Sequence, residues 1–96
     1  MHAMVRSFSG QDGSAFADLL IEHKADVESA MRGIPGMVSY TIIRTADGVT
    51  TLTVCNDKTG TDQSLTVAKD WLKENASHLQ ISAPAVTEGE VVVHLT

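Results

Sequence analysis

Between positions 37 and 56 the chain reads MVSYTIIRTADGVTTLTVCN, two runs rich in β-branched residues that meet at Asp47-Gly48. A dipeptide of this kind supplies the positive-φ residues of a tight reversal, so strands Met37–Thr45 and Val49–Asn56 are predicted to pair as an antiparallel hairpin. Any even loop length sets odd positions of one strand beside even positions of the other. Thr41 and Ile43 then share a face with Leu52 and Val54. Val38, Tyr40, Ile42 and Arg44 share the opposite face with Thr51, Thr53 and Cys55.

The hairpin is flanked by helical patterns. Phe16, Leu19, Leu20, His23, Val27, Ala30 and Met31 recur at helical spacing and predict one amphipathic helix over Ser14–Arg32. Asp12 or Ser14 suits its start, and Gly33 suits the left-handed position past its end. A second helix is expected over Asp62–Asn75, opened by Thr61 or Asp62, with Leu65, Ala68 and Leu72 as its stripe and Trp71 on the flank. Outer strands are expected at Met1–Phe8 and Glu90–Leu95, and Ser77–Gly89 reads as irregular chain. Strand, helix, strand, strand, helix, strand is the ferredoxin-like order: an α+β domain in which right-handed crossovers lay two helices on one face of a four-stranded antiparallel sheet. The small aliphatic face is expected beneath the helices. The face mixing Met4, Tyr40 and Ile42 with His2, Arg6, Arg44 and His94 is expected to be bare and to associate with a second copy.

Ninety-six residues without repeats or linkers form a single domain, 1–96, whose modest core a partner subunit would extend. No apolar run approaches the roughly 20 residues of a membrane helix, and the opening MHAMVRSFSG has no hydrophobic signal core. With one cysteine and a net charge of −5 the chain reads as a cytoplasmic protein with no nucleic-acid partner and no membrane association.

IPGMVSY leading into the second strand, TLTVCNDK followed by a helix carrying DWLKE, and the complete element order resemble the dimeric α+β barrel superfamily, in particular small proteins similar to antibiotic biosynthesis monooxygenases. The resemblance implies a homodimer built through the sheet and matches the family's recurring Pro-Gly, aromatic and helical Trp at Pro35, Gly36, Tyr40 and Trp71. It also brings cofactor-free oxygenases, isomerases, haem-degrading enzymes and members of no known activity into view. Of the Asn, Trp and His used by the haem-degrading relatives, Trp71 alone has a counterpart; Ser7 stands near the Asn position and His78 falls too early. No cofactor and no metal are therefore assigned.

Four residues are singled out. His23, central to the helical stripe, is expected between helix and sheet, either as a core histidine bonded to Ser39 or Thr41 or as a catalytic base near neutral pH. Tyr40 and Trp71 are packing residues or the walls of a small-molecule site. Arg44, like Arg6, needs an acid partner at the barrel rim or an anionic ligand. His2 and His94 without a carboxylate or cysteine at fixed spacing make a weak metal pair, and Cys55 reads as a structural thiol. Two functions follow: a small homodimer that binds an apolar or aromatic ligand, or a cofactor-independent monooxygenase or isomerase acting on a phenolic or enolisable molecule.

Overall fold

A computed structural model describes residues 1–96. Its elements run β1 (His2–Ser9), α1 (Gly13–Glu22), α2 (Lys24–Arg32), β2 (Met37–Thr45), β3 (Gly48–Cys55), α3 (Lys58–Asn75) and β4 (Ala85–Glu90). The sheet has the order β2-β3-β1-β4 with every neighbouring pair antiparallel, the ferredoxin-like arrangement expected from the element order.

The first helix is not continuous. His23 adopts φ −104° and ψ 22° and divides it into α1 and α2, although no Pro or Gly stands there. The chain still bonds across the bend, from the His23 N–H to the Leu19 carbonyl and from the Val27 N–H to the His23 carbonyl. The left-handed position after α2 falls not on Gly33, which keeps φ −71°, but on Gly36 at φ +81°. The hairpin turn lies where the sequence places it, yet neither Asp47 nor Gly48 has positive φ. Gly48 answers a different constraint, because a Cβ there would collide with the Phe8 carbonyl of the neighbouring strand.

The second predicted helix starts four residues earlier than expected. Asp57, in extended conformation, caps it by accepting from the Gly60 N–H at 3.3 Å. Thr61 and Asp62 lie inside the first turns instead. A Cβ on Gly60 would come within 2.7 Å of the Cys55 Cβ, so glycine lets α3 sit directly on the end of β3. The last strand is also earlier than predicted. Ala85–Glu90 pairs with Ser7–His2, and β1 then runs out at Met1, which leaves Val91–Thr96 without a strand to join. Val92, Val93 and Leu95 are consequently 85, 84 and 94% exposed.

The two faces of the sheet are reversed relative to the expectation. Met4, Arg6, Phe8, Tyr40, Ile42, Val49, Thr51, Thr53 and Cys55 lie beneath the helices; Ala3, Val5, Thr41, Ile43 and Leu52 lie on the other face, where Val54 is buried all the same. Volume explains the choice. Filling the gap between a sheet and helices about 10 Å away takes long side chains. Phe8 and Phe16 meet edge to face at 5.3 Å in that gap, with Leu20, Val27, Met31 and Ile34 around them. The contrast is sharpest on central strand β1, where Ala3, Val5 and Ser7 on the other face are far shorter than Met4, Arg6 and Phe8. Val38 leaves the alternation because the β2–β3 register shifts between Met37 and Ser39.

Candidate functional site

Because the polar face is inside, the helix–sheet layer holds groups that a core of this size does not ordinarily bury. Arg6, between Met4 and Phe8 on the central strand β1, is 1% exposed. Its neighbour across the sheet is Thr51, and Thr53 faces both Met4 and Tyr40. Arg6 Nε and Nη2 and the hydroxyls of Thr51 and Thr53 are buried without a hydrogen-bond partner. The guanidinium lies 5.9 Å from the centre of the Phe8 ring, a favourable contact that leaves its N–H groups unmet.

Arg6, Thr51 and Tyr40 border a small inner pocket of about 30 Å³, otherwise walled by apolar side chains including Phe16, Val27 and Trp71. Outside it lies a cleft of about 350 Å³ between β2 and the α1–α2 pair. Leu20, Val27 and Tyr40 belong to both. Ala17, Ile42 and Val49 add apolar lining to the cleft, and Lys24, Glu28 and Arg44 add charge. The arrangement is a largely apolar cleft beside a small inner pocket with one cation, Arg6, the two divided by the side chains of Leu20, Val27 and Tyr40.

Burial perturbs the polar members in consistent directions. Desolvation pulls the Arg6 pKa below its ordinary value, partly opposed by Tyr40. Desolvation also raises the Tyr40 pKa, while the Arg6 charge draws it back. The Thr51 hydroxyl favours the phenolate slightly but is not within hydrogen-bond geometry of any partner. Tyr40 is thus a neutral phenol at physiological pH, and Arg6 a cation lacking a counter-anion. Cys55 is fully buried, its thiol pKa raised by burial and then by Asp57, which suits a structural role.

The residues singled out in the sequence are only partly brought together. Tyr40 borders both cavities, Trp71 the inner one and Arg44 the outer one. The Arg44 guanidinium is already paired with Asp18 at 2.7 Å and is exposed. His23 borders neither cavity. It lies at the α1–α2 bend, its ring 5.8 Å from Trp71 in an edge contact and its Nδ1 3.5 Å from Asp26, rather than between helix and sheet. His2 bonds Thr61 Oγ1 through Nδ1 at 2.9 Å and approaches Glu88, whereas His94 lies in the exposed tail. Arg6, noted in the sequence with Arg44 as a charge needing an acid or an anionic ligand, was not among the four residues singled out. The signal for it was its place at i+2 and i−2 from Met4 and Phe8, a position that two large apolar neighbours draw into the core.

Comparison with known proteins yields no matching family model and no matching curated relative. Solved structures do match across nearly the full chain. A MhuD variant with two manganese protoporphyrin IX molecules bound per active site superposes with TM-score 0.74 at 13% identity, covering 100% of this chain and 99% of that one. A Streptomyces coelicolor monooxygenase in complex with nanaomycin D gives 0.67 at 16%, covering 99 and 90%. A dimeric ferredoxin-like protein from an uncultured marine organism gives 0.69 at 15%, covering 99 and 95%. The chain therefore has the ferredoxin-like fold that these structures share, as its element order suggested. At these identities the likeness is one of fold, on which unrelated chemistries are built.

Proposed function

We propose that the protein is a homodimer whose helix–sheet cleft binds a small apolar or aromatic ligand. The observation that carries this reading is the orphaned guanidinium of Arg6 in a small inner pocket that shares Leu20, Val27 and Tyr40 with a cleft of about 350 Å³. A volume of that order is the lower range of small-molecule sites. Buried donors left unmet in the free protein are donors available to an occupant.

Homodimerisation is supported by two surfaces that a single chain leaves uncovered. One is the open face of Val5, Ile43 and Leu52; the other is the apolar tail beyond Glu90. β2 is an edge strand, so the tail of one copy has an edge to pair with on another. The sheet contact proposed here uses the aliphatic face, not the mixed one. A free, buried Cys55 fits the reducing conditions of the cytoplasm, the proposed compartment, and no helix is long and apolar enough to cross a membrane.

The alternative, a cofactor-independent monooxygenase or isomerase, needs a base opening into the cavity. His23 lies outside both cavities, and Tyr40, kept protonated by burial, is an acid. Binding is therefore the better supported reading. Amide chemical-shift mapping with indole tests it: shifts clustering at Leu20, Val27, Tyr40 and Trp71 are expected, and the absence of shifts at millimolar indole would remove the reading.

A further inference from the structure

The two nitrogens of Arg6 that lack partners are Nε and Nη2, which lie on the same edge of the guanidinium. Their N–H bonds run parallel in one plane, the spacing that the two oxygens of a carboxylate match side-on. A phenolate or carbonyl offers a single oxygen and would leave one donor unmet. The surrounding hydroxyls reinforce the selection. Thr51 beside Arg6 has a free hydroxyl to donate, and Tyr40 retains its phenolic proton, so the inner pocket favours a head that only accepts.

Charge and size narrow the class further. Arg6 is the one cation among the inner-pocket residues, and no Asp or Glu lines that pocket. A monoanion is neutralised there, whereas a phosphate dianion would retain a buried negative charge. The inner space of about 30 Å³ takes roughly two water-sized groups, the size of the two oxygens of a carboxylate, and not a ring. The ring or chain of the ligand must then occupy the outer cleft, against Leu20, Val27 and Tyr40.

We propose that the ligand is an aromatic monocarboxylate, its carboxylate held side-on by Nε and Nη2 of Arg6 and its ring lying in the cleft bordered by Tyr40. This deepens the ligand-binding reading and rests on it.

Titration calorimetry at pH 7 with 2-naphthoate, 2-naphthamide and 2-naphthol separates the two levels. Naphthoate is expected to bind wild type roughly 10- to 100-fold more tightly than the amide, the range for hydrogen bonds to a charged partner. In Arg6→Met that preference should fall to about one, and Thr51→Val, which keeps the cation, should reduce naphthoate affinity alone. Because a carboxylic acid with a pKa of about 4 is ionised throughout, the preference should be flat from pH 6 to 8. Equal binding of acid and amide, or a preference surviving in Arg6→Met, overturns the carboxylate assignment while leaving the cavity reading intact. So does a preference for naphthol that strengthens towards pH 9, which would mark a phenolate. No binding by any of the three, together with a negative indole experiment, removes both.

Discussion

Replacing Arg6 with Met should make the unliganded protein more stable. Arg6 is 1% exposed, with Nε and Nη2 unpaired. Each buried unmet donor costs about 1–3 kcal/mol, so relief of two is worth about 2–6 kcal/mol. Against this, the contact with the Phe8 ring at 5.9 Å is lost, about 0.5–2 kcal/mol. Methionine fills most of the volume of the arginine stem and adapts to the remainder. The difference spans about 0–5.5 kcal/mol, and the gain is expected within the range of about 1–4 kcal/mol seen when buried charges give way to apolar residues. For a 96-residue domain each kcal/mol is about 4–8 °C, so the midpoint should rise by at least about 4 °C. Urea unfolding at fixed protomer concentration, followed through the single tryptophan, Trp71, reads the free-energy gain, and a thermal melt reads the midpoint. A carboxylate ligand should narrow the gap: at about 100 times its wild-type Kd it stabilises wild type by about 2.7 kcal/mol and the variant, which binds it more weakly, by less. A variant less stable than wild type without ligand would refute the reasoning, because it would mean that the Arg6 nitrogens are satisfied in the folded protein.

Tyr40 and Cys55 both have folded pKa values raised by burial, so their contribution is full below their unfolded values, about 10 and 8.5, and is lost as pH rises through the folded ones. Urea midpoints should therefore decline from about pH 8.5 upward, and less steeply in Tyr40→Phe; a flat profile to pH 11 would contradict the burial argument. Gly60→Ala should destabilise by more than 1 kcal/mol, about the size of an overpacking penalty, through its collision with Cys55, and Cys55→Ala should partly restore it in a double-mutant cycle. His23→Ala should lose the Trp71 edge contact, about 0.5–1.5 kcal/mol in urea; no loss of stability would mean that the contact contributes nothing to the bend. Leu52→Glu on the open face should shift light-scattering mass from dimer to monomer at micromolar concentration; a wild-type monomer would sink the dimer proposal itself.

Element order was legible because two periodicities, 2 and 3.6, alternate cleanly along the chain. Alternation assigns residues to a face without saying which face the helices cover. Polarity suggested that Arg6, Thr51 and Thr53 belonged outside; the size of Met4 and Phe8 on the same face decided otherwise. The bend at His23 carries no Gly or Pro to announce it, and its partners, Trp71 and Asp26, reach it through tertiary packing and local pairing. The end of β4 was equally hidden, because Val91–Leu95 has the composition of a strand and lacks only a neighbour. Of the site, Tyr40, Trp71 and Arg44 were visible as residue types. Arg6 required knowing that the polar face is the covered one.

The bend at His23 has a bearing on which molecules can enter. Ala17 and Leu20, on one side of the cleft, come from α1, while Val27 and Glu28 come from α2. The girth of the opening therefore depends on the angle at a joint as well as on the floor that Tyr40, Ile42 and Val49 lay down from β2 and β3. Substitutions at the joint would re-bore the entrance for bulkier or slimmer guests while the carboxylate grip at the bottom stayed the same, so capacity and chemical preference can evolve separately.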